Sequence, residues 1–494
     1  MPNETEPAIR IRNLSYSYPG YNTAPSVALD SVNLDIHYGS KVLVSGASGS
    51  GKSSLIRCIN GLIPNSDKKG SEFSGEVFVA GMDTRSHSVA EISGIVGTVF
   101  QNPDQQIVTN SVESEIAFGL ENICTPPDEI GIRIRNISEL MHIGHLLERE
   151  TSDLSWGEKQ KVAIASVLVM EPKIIVMDEP FSGLDPRSSA SLGELLNTLN
   201  KQFNLTIVLA EHRTEQVSGL VERIVRLEKG RVIYDGPPVF TRNTAPKNNM
   251  ADLSFIQQTP SGNNEHSFPA IELSGVSYSY PGSSSPATDD ISVAFYDSAI
   301  TVVLGSNGSG KSTLSKQLNG LLRPDSGLVC LYGEEITGQN KESVTKKVGL
   351  VSQHADHQLF EESIPGEFSF GPANIGIPEE EINRRVPGVL SALDLNHIDL
   401  NTPPLRLSAG EKQRIAIGSI LMMETPVIVF DEPTLGLDGR LKDALAAELR
   451  RRAVKGGCII VMTHDLEFAS TLRPERVLVM EKGRISQDSE NTGV

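Results

Sequence analysis

Cysteine is scarce in this chain of 494 residues, and the four cysteines are too far apart in sequence to form a recognisable site. No C-x-x-C pair occurs, so the spacing favours neither a disulfide framework nor a zinc site. We therefore expect reduced thiols in a cytosolic protein. The cysteines are Cys58, Cys124, Cys330 and Cys458.

Long apolar runs are also missing. The longest, Val162–Met170 and Ala299–Leu304, fall well short of the ~20 residues needed to cross a bilayer. The first ten residues are acidic and polar, unlike the basic and then apolar pattern of a secretory signal. The sequence thus predicts a protein that neither spans a membrane nor is secreted.

Positive charge is in deficit, and the net charge is −18. Such an acidic surface repels phosphate backbones and anionic lipids, which argues against a general nucleic-acid or lipid coat. Hydrophobic residues make up 38% of the chain and charged residues 21%, which is enough apolar material for sizeable cores. The length predicts two large domains or three smaller ones.

The sequence contains two copies of one pattern. Leu14–Gly20 returns as Val276–Gly282, and Leu154–Gln160 returns as Leu407–Gln413, in the same order and about 255 residues later. A period this long indicates a duplicated domain rather than a solenoid repeat.

A change in composition separates the copies. Residues 239–269 are rich in Asn, Pro, Ser and Thr and lack an apolar period, which predicts a linker. The expected domains are residues 7–238 and 270–489. Within each, short apolar strands alternate with helical segments, which favours a largely parallel α/β sheet.

Each copy carries a phosphate-binding loop of the form G-x-x-x-x-G-K-S, after an apolar strand and before a helix. The glycines let backbone N–H groups turn toward phosphate oxygens, and the helix presents its positive N-terminus. The lysine is expected to neutralise the β- and γ-phosphates, and the serine after it to bind Mg²⁺. The predicted nucleotide-binding residues are Gly46, Ala47, Ser48, Gly49, Ser50, Gly51, Lys52, Ser53 and Ser54, and Gly305, Ser306, Asn307, Gly308, Ser309, Gly310, Lys311, Ser312 and Thr313.

An apolar strand ending in two carboxylates follows each loop. Ile174–Asp178 leads to Glu179, and Val427–Asp431 leads to Glu432. The first carboxylate suits a Mg²⁺ site, and the second suits orientation of an attacking water. Such a strand end is common in isolation, but its place after a phosphate loop in both copies favours two hydrolytic sites.

The motif L-S-x-G-E-K-Q begins a helix in each copy, at Leu154 and Leu407. Its serine and free N–H groups suit an anion, although an isolated instance is more often an ordinary helix cap. Between a phosphate loop and an acidic strand end, it resembles the signature motif of ABC-type ATPases, and the resemblance covers both copies. It implies an α/β protein with two P-loop ABC-type nucleotide-binding domains. Each would combine a RecA-like, mostly parallel sheet with an antiparallel β subdomain and a helical signature subdomain.

The resemblance also implies roles for particular residues, with ATP and Mg²⁺ as ligands. The halves would pack head to tail, so that each ATP would contact one copy's phosphate loop and the other copy's signature. The implied catalytic residues are Glu179, Glu432, His212, His464, Gln101 and Gln353. The implied Mg²⁺ ligands are Ser53, Asp178, Gln101, Ser312, Asp431 and Gln353. The implied adenine-stacking residues are Tyr18 and Tyr280, and the signature residues are Ser155, Gly157, Ser408 and Gly410. The implied coupling loops are Ser182–Asp185 and Leu435–Asp438.

The segment after Gln101 resembles that of energy-coupling-factor ATPases, which drive vitamin and cobalt or nickel uptake. This implies a peripheral subunit at the cytoplasmic membrane face, partnered by an integral coupling protein and a substrate-capture membrane protein. In residues 111–122, we interpret Glu113, Glu115 and Glu121 as an acidic rim that receives a basic partner helix. Pro365 is expected to interrupt the corresponding helix of the second copy.

Three alternatives remain at this point. Tandem sugar-importer ATPases have a similar length, but they resemble this chain less in the segments around Gln101 and Gln353. Ribosome-associated translation factors of the ABC class bind RNA through a long charged linker, whereas this linker is not basic and no nucleic-acid partner is expected. A purely regulatory module would not need both Glu179 and Glu432.

Overall fold

A computed structural model of the protein describes residues 6–19, 25–47, 49–65, 71–181, 184, 186–211, 217, 219–238, 268–281, 283, 285–336 and 341–489. Contacts divide the chain into two compact units, within residues 1–243 and 244–494. The predicted linker lies almost wholly outside the described residues. The same holds for several predicted site residues, namely Ser48, Ser182, Gly183, Asp185 and His212.

The first unit combines two sheets with a set of helices. Its elements are β1 (Ile9–Tyr18), β2 (Ser26–Ile36), β3 (Lys41–Ser45), α1 (Lys52–Ile59), α2 (Leu62–Asn65), β4 (Glu72–Val79), β5 (Met82–Asp83), α3 (Val89–Ser93), β6 (Val96–Val99), α4 (Val112–Asn122), α5 (Pro127–Leu140), α6 (Trp156–Leu168), β7 (Ile174–Asp178), α7 (Pro186–Phe203), β8 (Thr206–Glu211), β9 (Arg223–Glu228) and β10 (Arg231–Gly236).

One sheet of this unit is antiparallel, in the order β2-β1-β4-β5, and the other has the order β10-β9-β3-β8-β7-β6. In the second sheet, the strands from β9 to β6 are parallel and β10 adds an antiparallel edge. Strands β3, β7 and β8 are buried throughout, as expected for parallel strands covered on both faces.

The second unit repeats this arrangement. Its elements are β11 (Ile271–Tyr278), β12 (Thr288–Phe295), β13 (Ala299–Leu304), α8 (Lys311–Leu318), β14 (Ser326–Leu331), β15 (Glu334–Glu335), α9 (Lys341–Lys347), β16 (Val348–Val351), α10 (Ile364–Asn374), α11 (Glu379–Ala392), α12 (Ala409–Met423), β17 (Val427–Asp431), α13 (Gly439–Val454), β18 (Cys458–Thr463), α14 (Leu466–Leu472), β19 (Arg476–Glu481) and β20 (Arg484–Asp488). The sheet orders are β12-β11-β14-β15 and β16-β17-β18-β13-β19-β20.

The parallel sheet separates two apolar cores in each unit. Along β7, Ile174 and Val176 join the core shared with the antiparallel sheet, while Ile175 and Met177 join the core under the helices α4–α7. Alternate side chains of a strand point to opposite faces, so one short strand anchors both layers. The predicted α/β class, with an antiparallel sheet and a helical part in each unit, is confirmed.

The helix after the second glutamine is continuous, and the expected interruption by Pro365 is wrong. Helix α10 begins at Ile364, so Pro365 occupies its first turn. Proline is tolerated there because an N–H in the first turn has no partner within the helix. Among the described residues, no helix is long and apolar enough to cross a membrane.

Candidate active site

The two phosphate loops connect a buried strand to a helix, as the motif requires. Gly51 and Gly310 precede the lysines with φ of 103° in both cases. A Cβ on Gly51 would lie 2.4 Å from the carbonyl oxygen of Ala28, and one on Gly310 would lie 2.1 Å from that of Ala287. Only glycine fits this left-handed backbone against a neighbouring strand.

Each loop lysine is buried and turned toward the start of its own loop. The Nζ atom of Lys311 lies 2.8 Å from the carbonyl oxygen of Gly305 and 3.1 Å from that of Ser306. Lys52 makes the matching contacts at 2.8 and 3.0 Å. The hydroxyls of Ser50 and Ser309 are buried without a hydrogen-bond partner among the described residues. The loops therefore hold charge and donors ready for an anionic ligand.

In the second unit, three groups converge on the buried carboxylate of Glu432. His464 Nδ1 lies 2.9 Å from Oε1, Lys311 Nζ lies 3.4 Å from the same oxygen, and the Thr463 hydroxyl donates to Oε2 at 3.0 Å. Burial alone would raise the pKa of Glu432, but His464, Lys311 and Thr463 together lower it to about 2. The carboxylate is therefore charged and fixed in orientation at neutral pH.

The backbone at both of these glutamates is unusual. Glu179 and Glu432 each have a φ of 48°, in the left-handed region that residues with a Cβ rarely adopt. Their N–H groups are held at 2.8 Å by the carbonyl of Ala210 and at 2.9 Å by that of Met462. Both units therefore hold this glutamate in the same backbone conformation.

The carboxylate before each glutamate has a raised pKa. Burial raises the pKa of Asp178 and of Asp431 to about 6, against a hydrogen bond from Ser53 and from Ser312. The Oδ1 atom of each aspartate is buried without a partner among the described residues. A hydroxyl beside an unsatisfied carboxylate oxygen fits a divalent cation, because hard oxygen ligands are what Mg²⁺ prefers. The serines and aspartates named for Mg²⁺ are thus adjacent in both units.

The predicted glutamines occupy the same place, two residues beyond β6 and β16, but differ in contact. Gln101 Nε2 donates to Glu179 Oε2 at 2.8 Å. No hydrogen bond between Gln353 and Glu432 is present in the described part of the chain.

A second difference lies at the residue before the predicted histidine. In the second unit this is Thr463, which donates to Glu432. In the first unit it is Glu211, fully buried, whose Oε1 accepts from the N–H of Phe181 at 3.0 Å. The sequence motifs assign neither residue a role.

The tyrosines lie beside the helices that follow the loops. The Tyr18 hydroxyl is 3.2 Å from that of Ser54, and the Thr313 hydroxyl is 3.4 Å from that of Tyr280. Tyr280 is 42% exposed, so its ring is accessible to a planar ligand. This position is compatible with the predicted adenine contact.

The signature serines cap α6 and α12. Ser155 accepts from the N–H of Glu158 while its hydroxyl donates to that side chain at 2.7 Å, and Ser408 pairs with Glu411 in the same way. Both serines form capping boxes. Ser155 is exposed, so within its own unit it serves the helix alone.

A buried glutamate ties down the loop after each predicted glutamine. Residues 101–110 and 353–362 are called here the glutamine loops. Glu115 Oε2 accepts from the N–H groups of Val108 and Thr109, both at 2.9 Å, and Glu367 Oε2 accepts from Phe360 and Glu361, both at 3.1 Å.

The sequence interpretation of Glu115 as part of an exposed rim is therefore wrong. Glu115 is 3% exposed and Glu367 also 3%, and their carboxylates turn inward to accept the loop N–H groups. Glu113 and Glu121 do lie at the surface. The signal that could have revealed the pair is positional, since each glutamate follows its glutamine by the same 14 residues.

An ion pair joins each glutamine loop to the signature helix of the same unit. Lys159 Nζ lies 2.6 Å from Asp104 Oδ1, and Lys412 Nζ lies 2.7 Å from Asp356 Oδ1. The lysine belongs to the L-S-x-G-E-K-Q motif itself. The motif thus contacts the loop as well as starting a helix.

The two units carry the same set of phosphate loop, acidic strand end and capped helix, and comparisons with known proteins match both units to one family. Residues 29–182 and 288–435 each match the family described as ABC transporter. The chain belongs to the ABC transporter family of ATP-binding proteins. It is 33% identical to an ABC transporter ATP-binding protein of Methanosarcina acetivorans, over 99% of this chain and 87% of that one. It is 34% identical to one of Treponema denticola, over 97% and 96%.

Solved structures of single cassettes match one unit at a time. CbiO1 from Clostridium perfringens, described as part of the ABC transporter complex cbiONQ, is 33% identical, with a TM-score of 0.42 over 47% of this chain and 89% of that one. An ATP-binding cassette bound to ADP and Pi is 26% identical, with a TM-score of 0.42 over 47% and 100%. Because the family model matches once in each unit, this ABC protein carries two ATPase cassettes in one chain.

Proposed function

We propose that this chain is the ATP-hydrolysing subunit of an energy-coupling-factor-type importer, powering vitamin or transition-metal uptake through separate membrane proteins. The observation that carries hydrolysis is the charged, buried carboxylate of Glu432, held beside the phosphate-loop lysine. Glu179 occupies the matching place in the first unit. Each glutamate would orient a water for in-line attack on the γ-phosphate.

We interpret the contacts at each glutamate as those made before ATP binds. Lys311 pairs with Glu432 and with its own loop, and a γ-phosphate would compete for its ammonium. His464 and Gln101, which now bond to the glutamates, carry the donors that would contact the γ-phosphate and the attacking water. Ser53 with Asp178, and Ser312 with Asp431, would hold Mg²⁺, which when bound supplies positive charge to the phosphates. Gln101 and Gln353 would complete its ligands.

We further propose that each ATP is shared between the two units. A signature serine can contact an ATP phosphate only if a phosphate loop lies close to it. The family resemblance pairs each signature with the phosphate loop of the other unit. Ser155→Arg should therefore impair the site of Lys311, not that of Lys52.

A double-mutant cycle tests this pairing. Ser155→Arg combined with Lys311→Ala should be little worse than either change alone, because residues of one site act as a unit. Phosphate release by the purified variants is the readout. Additive losses for that pair, together with non-additive losses for Ser155→Arg with Lys52→Ala, would contradict the head-to-tail proposal.

Coupling to the membrane would use the surface around the glutamine loops. Phe118 on α4 is 43% exposed, and in the second unit Phe360 and Phe370 are 55% and 46% exposed, with ring centroids 4.6 Å apart. Exposed aromatic side chains beside acidic residues suit a basic, amphipathic helix of a partner. The ion pair between Lys159 and Asp104 then connects this surface to the signature helix.

Charge reversal at exposed positions tests the docking surface. Glu113→Lys with Glu121→Lys should reduce recovery of the chain with membranes of the source cell and leave basal ATPase nearly unchanged. Glu228→Lys, an exposed glutamate at the end of β9, is the matched control. Equal recovery of all three proteins would contradict an importer partner at this surface. Tight, salt-sensitive RNA binding by the wild type would instead favour the translation-factor alternative.

A further inference from the structure

The first unit contains a cavity of about 290 Å³ between α5, α6 and the start of α7. Its walls include the signature residue Gly157 and Leu184, so it borders both the signature helix and the loop expected to couple the two ATP sites. Apolar side chains, among them Ile164 and Leu192, form much of its surface. The volume approaches that of typical small-molecule sites.

In the second unit the equivalent space has no room for a water molecule, and Arg414 and Leu441, at the positions of Lys161 and Ser188, are among the side chains that line it. Lys161 and Arg414 each follow their signature serine by six residues, but Arg414 is 5% exposed and lies over the C-terminal end of α11. Its guanidinium donates to the carbonyls of Leu393 at 2.9 Å and Asp394 at 2.8 Å, and its Nε to that of Gly410 at 3.3 Å.

The first unit retains the backbone carbonyls that correspond to the acceptors of Arg414, but it has Lys161 at the position of that arginine. The counterparts of Leu393, Asp394 and Gly410 are Met141, His142 and Gly157, and all three line the cavity. Helices α5 and α11 have the same length, and His142 and Asp394 follow them with φ of 54° and 53°, so the backbones correspond. Among the described residues, no side-chain hydrogen bond ends on the carbonyl of Met141 or of His142.

A buried amide also faces this cavity unsatisfied. Gln160 lines it and is 1% exposed, and both its Nε2 and its Oε1 lack a hydrogen-bond partner among the described residues, whereas at the matching Gln413 only Nε2 does. An unpaired buried polar group is unfavourable by about 1–3 kcal/mol, so a partner from outside the chain would relieve it. The shorter, half-exposed Lys161 carries a compact ammonium and cannot present a planar fork of donors.

We propose that this cavity binds a small molecule bearing a guanidinium on a short aliphatic stem. The guanidinium would take the place that Arg414 fills in the second unit, donating to the carbonyls of Met141 and His142 and to the Gln160 oxygen. The stem would lie against Ile164 and Leu192. Bound there, the ligand would bridge the signature helix and α7 in the first unit alone.

Agmatine and putrescine form a matched pair of probes, because they share a four-carbon stem and a terminal amine and differ by one guanidinium group. Isothermal titration of each into the nucleotide-free full chain, at physiological salt to screen the net charge of −18, compares them directly. We expect saturable binding of one agmatine per chain, at least about tenfold tighter than putrescine.

Two variants close the cavity from different walls. Lys161→Arg should place a guanidinium on the vacant acceptors, and Leu195→Trp should fill the space from α7; each should weaken agmatine binding at least about tenfold. Lys161→Ala, which removes a competing cation, should preserve or tighten it. The proposal is overturned by absence of saturable binding, by equal affinity for putrescine, or by agmatine binding that survives both closing variants.

Discussion

The two halves of this chain agree in their predicted phosphate loops and differ in what surrounds these loops. Lys52 and Lys311 make the same two carbonyl contacts to within 0.1 Å. Around Glu179 and Glu432 the partners diverge, since Thr463 donates to Glu432 whereas the residue at that position in the first half is the buried acid Glu211. Duplication has thus preserved the geometry of the loop lysines and changed the electrostatic surroundings of the proposed catalytic glutamates.

The signature helices show a similar divergence. In the second half, a buried ion pair of Lys442 with Asp465 at 2.5 Å and the guanidinium of Arg414 tighten the region behind the signature. In the first half, the positions of Lys442 and Arg414 hold Ser189 and Lys161, and a cavity is present. The second half is therefore expected to be the more rigid of the two.

The largest expected effect tests whether the halves hydrolyse ATP equally. Glu179→Gln and Glu432→Gln together should lower phosphate release by about 10²–10⁴-fold, because an amide cannot act as a base, while ATP still binds. Phosphate release and nucleotide retention of the single and double variants measure this, with exposed Glu121→Gln as control. If one single variant has the whole effect of the double, only that half is hydrolytic. Wild-type turnover in the double variant would contradict the assigned role.

A second test removes the buried carboxylates that the halves share. Glu115→Gln and Glu367→Gln should each destabilise the protein by about 3 kcal/mol, because a charged acceptor of several loop N–H groups is lost. Scanning calorimetry, with exposed Glu113→Gln as the matched control on α4, measures the shift in melting temperature. Equal melting of Glu115→Gln and Glu113→Gln would contradict the tie to the glutamine loop.

The paired aspartates predict a pH dependence that should be the same in both halves. Because the folded-state pKa of Asp431 is raised from 3.8 to about 6, its contribution to stability is present below about pH 4 and is lost as the pH rises through 6. Asp178→Asn and Asp431→Asn should each stabilise the Mg²⁺-free protein by up to about 3 kcal/mol at pH 8 and less at pH 4. Melting curves at both pH values measure this. Equal gains at pH 4 and 8 would contradict the assigned shift.

A smaller effect is expected from exchanging the residues behind the signatures. Arg414→Lys should destabilise the second half by about 1–3 kcal/mol, since two or more buried carbonyls lose their donor. Lys161→Arg should stabilise the first half, as cavity filling commonly does. Calorimetry of both single variants and their combination compares the halves. Destabilisation by Lys161→Arg would show that the two sites are not equivalent.

The smallest effect concerns the ion pairs between signature helix and glutamine loop. Lys159→Met and Lys412→Met should each change stability by no more than about 1 kcal/mol, because both pairs are partly exposed. Their effect should be nearly equal in the two halves and should shrink at high salt. Melting temperatures at low and high ionic strength measure it. A large, salt-independent loss would indicate that the lysine stems, not the charges, support the packing.

The features predictable from sequence are those that local motifs define. The phosphate loops, the strands ending at Glu179 and Glu432 and the signature helices each depend on a few adjacent residues, and each lies in the expected element. The environment of these residues depends on tertiary packing. A glutamate in an acidic helical segment is expected to be exposed, and only the folded loop shows that Glu115 is buried.

Two other features lay beyond the sequence pattern for physical reasons. Pro365 was expected to break a helix because the helix start at Ile364 could not be located to within a residue. The cavity depends on side-chain length, since Lys161 and Arg414 carry the same charge and differ only in reach and donor geometry. Composition and periodicity do not report such differences.

The carboxylates of Glu115 and Glu367 have a consequence for motion. Val108 and Thr109 follow an irregular backbone path, yet their N–H groups are held by a side chain from inside α4. Amide hydrogen exchange at these positions should therefore be slow and should proceed only when the helix itself opens, so that loop and helix form one cooperative unit. A force applied to the glutamine loop from outside would then move α4 as a whole rather than bend a hinge. This movement would be transmitted to the core beneath α6 without prior local unfolding.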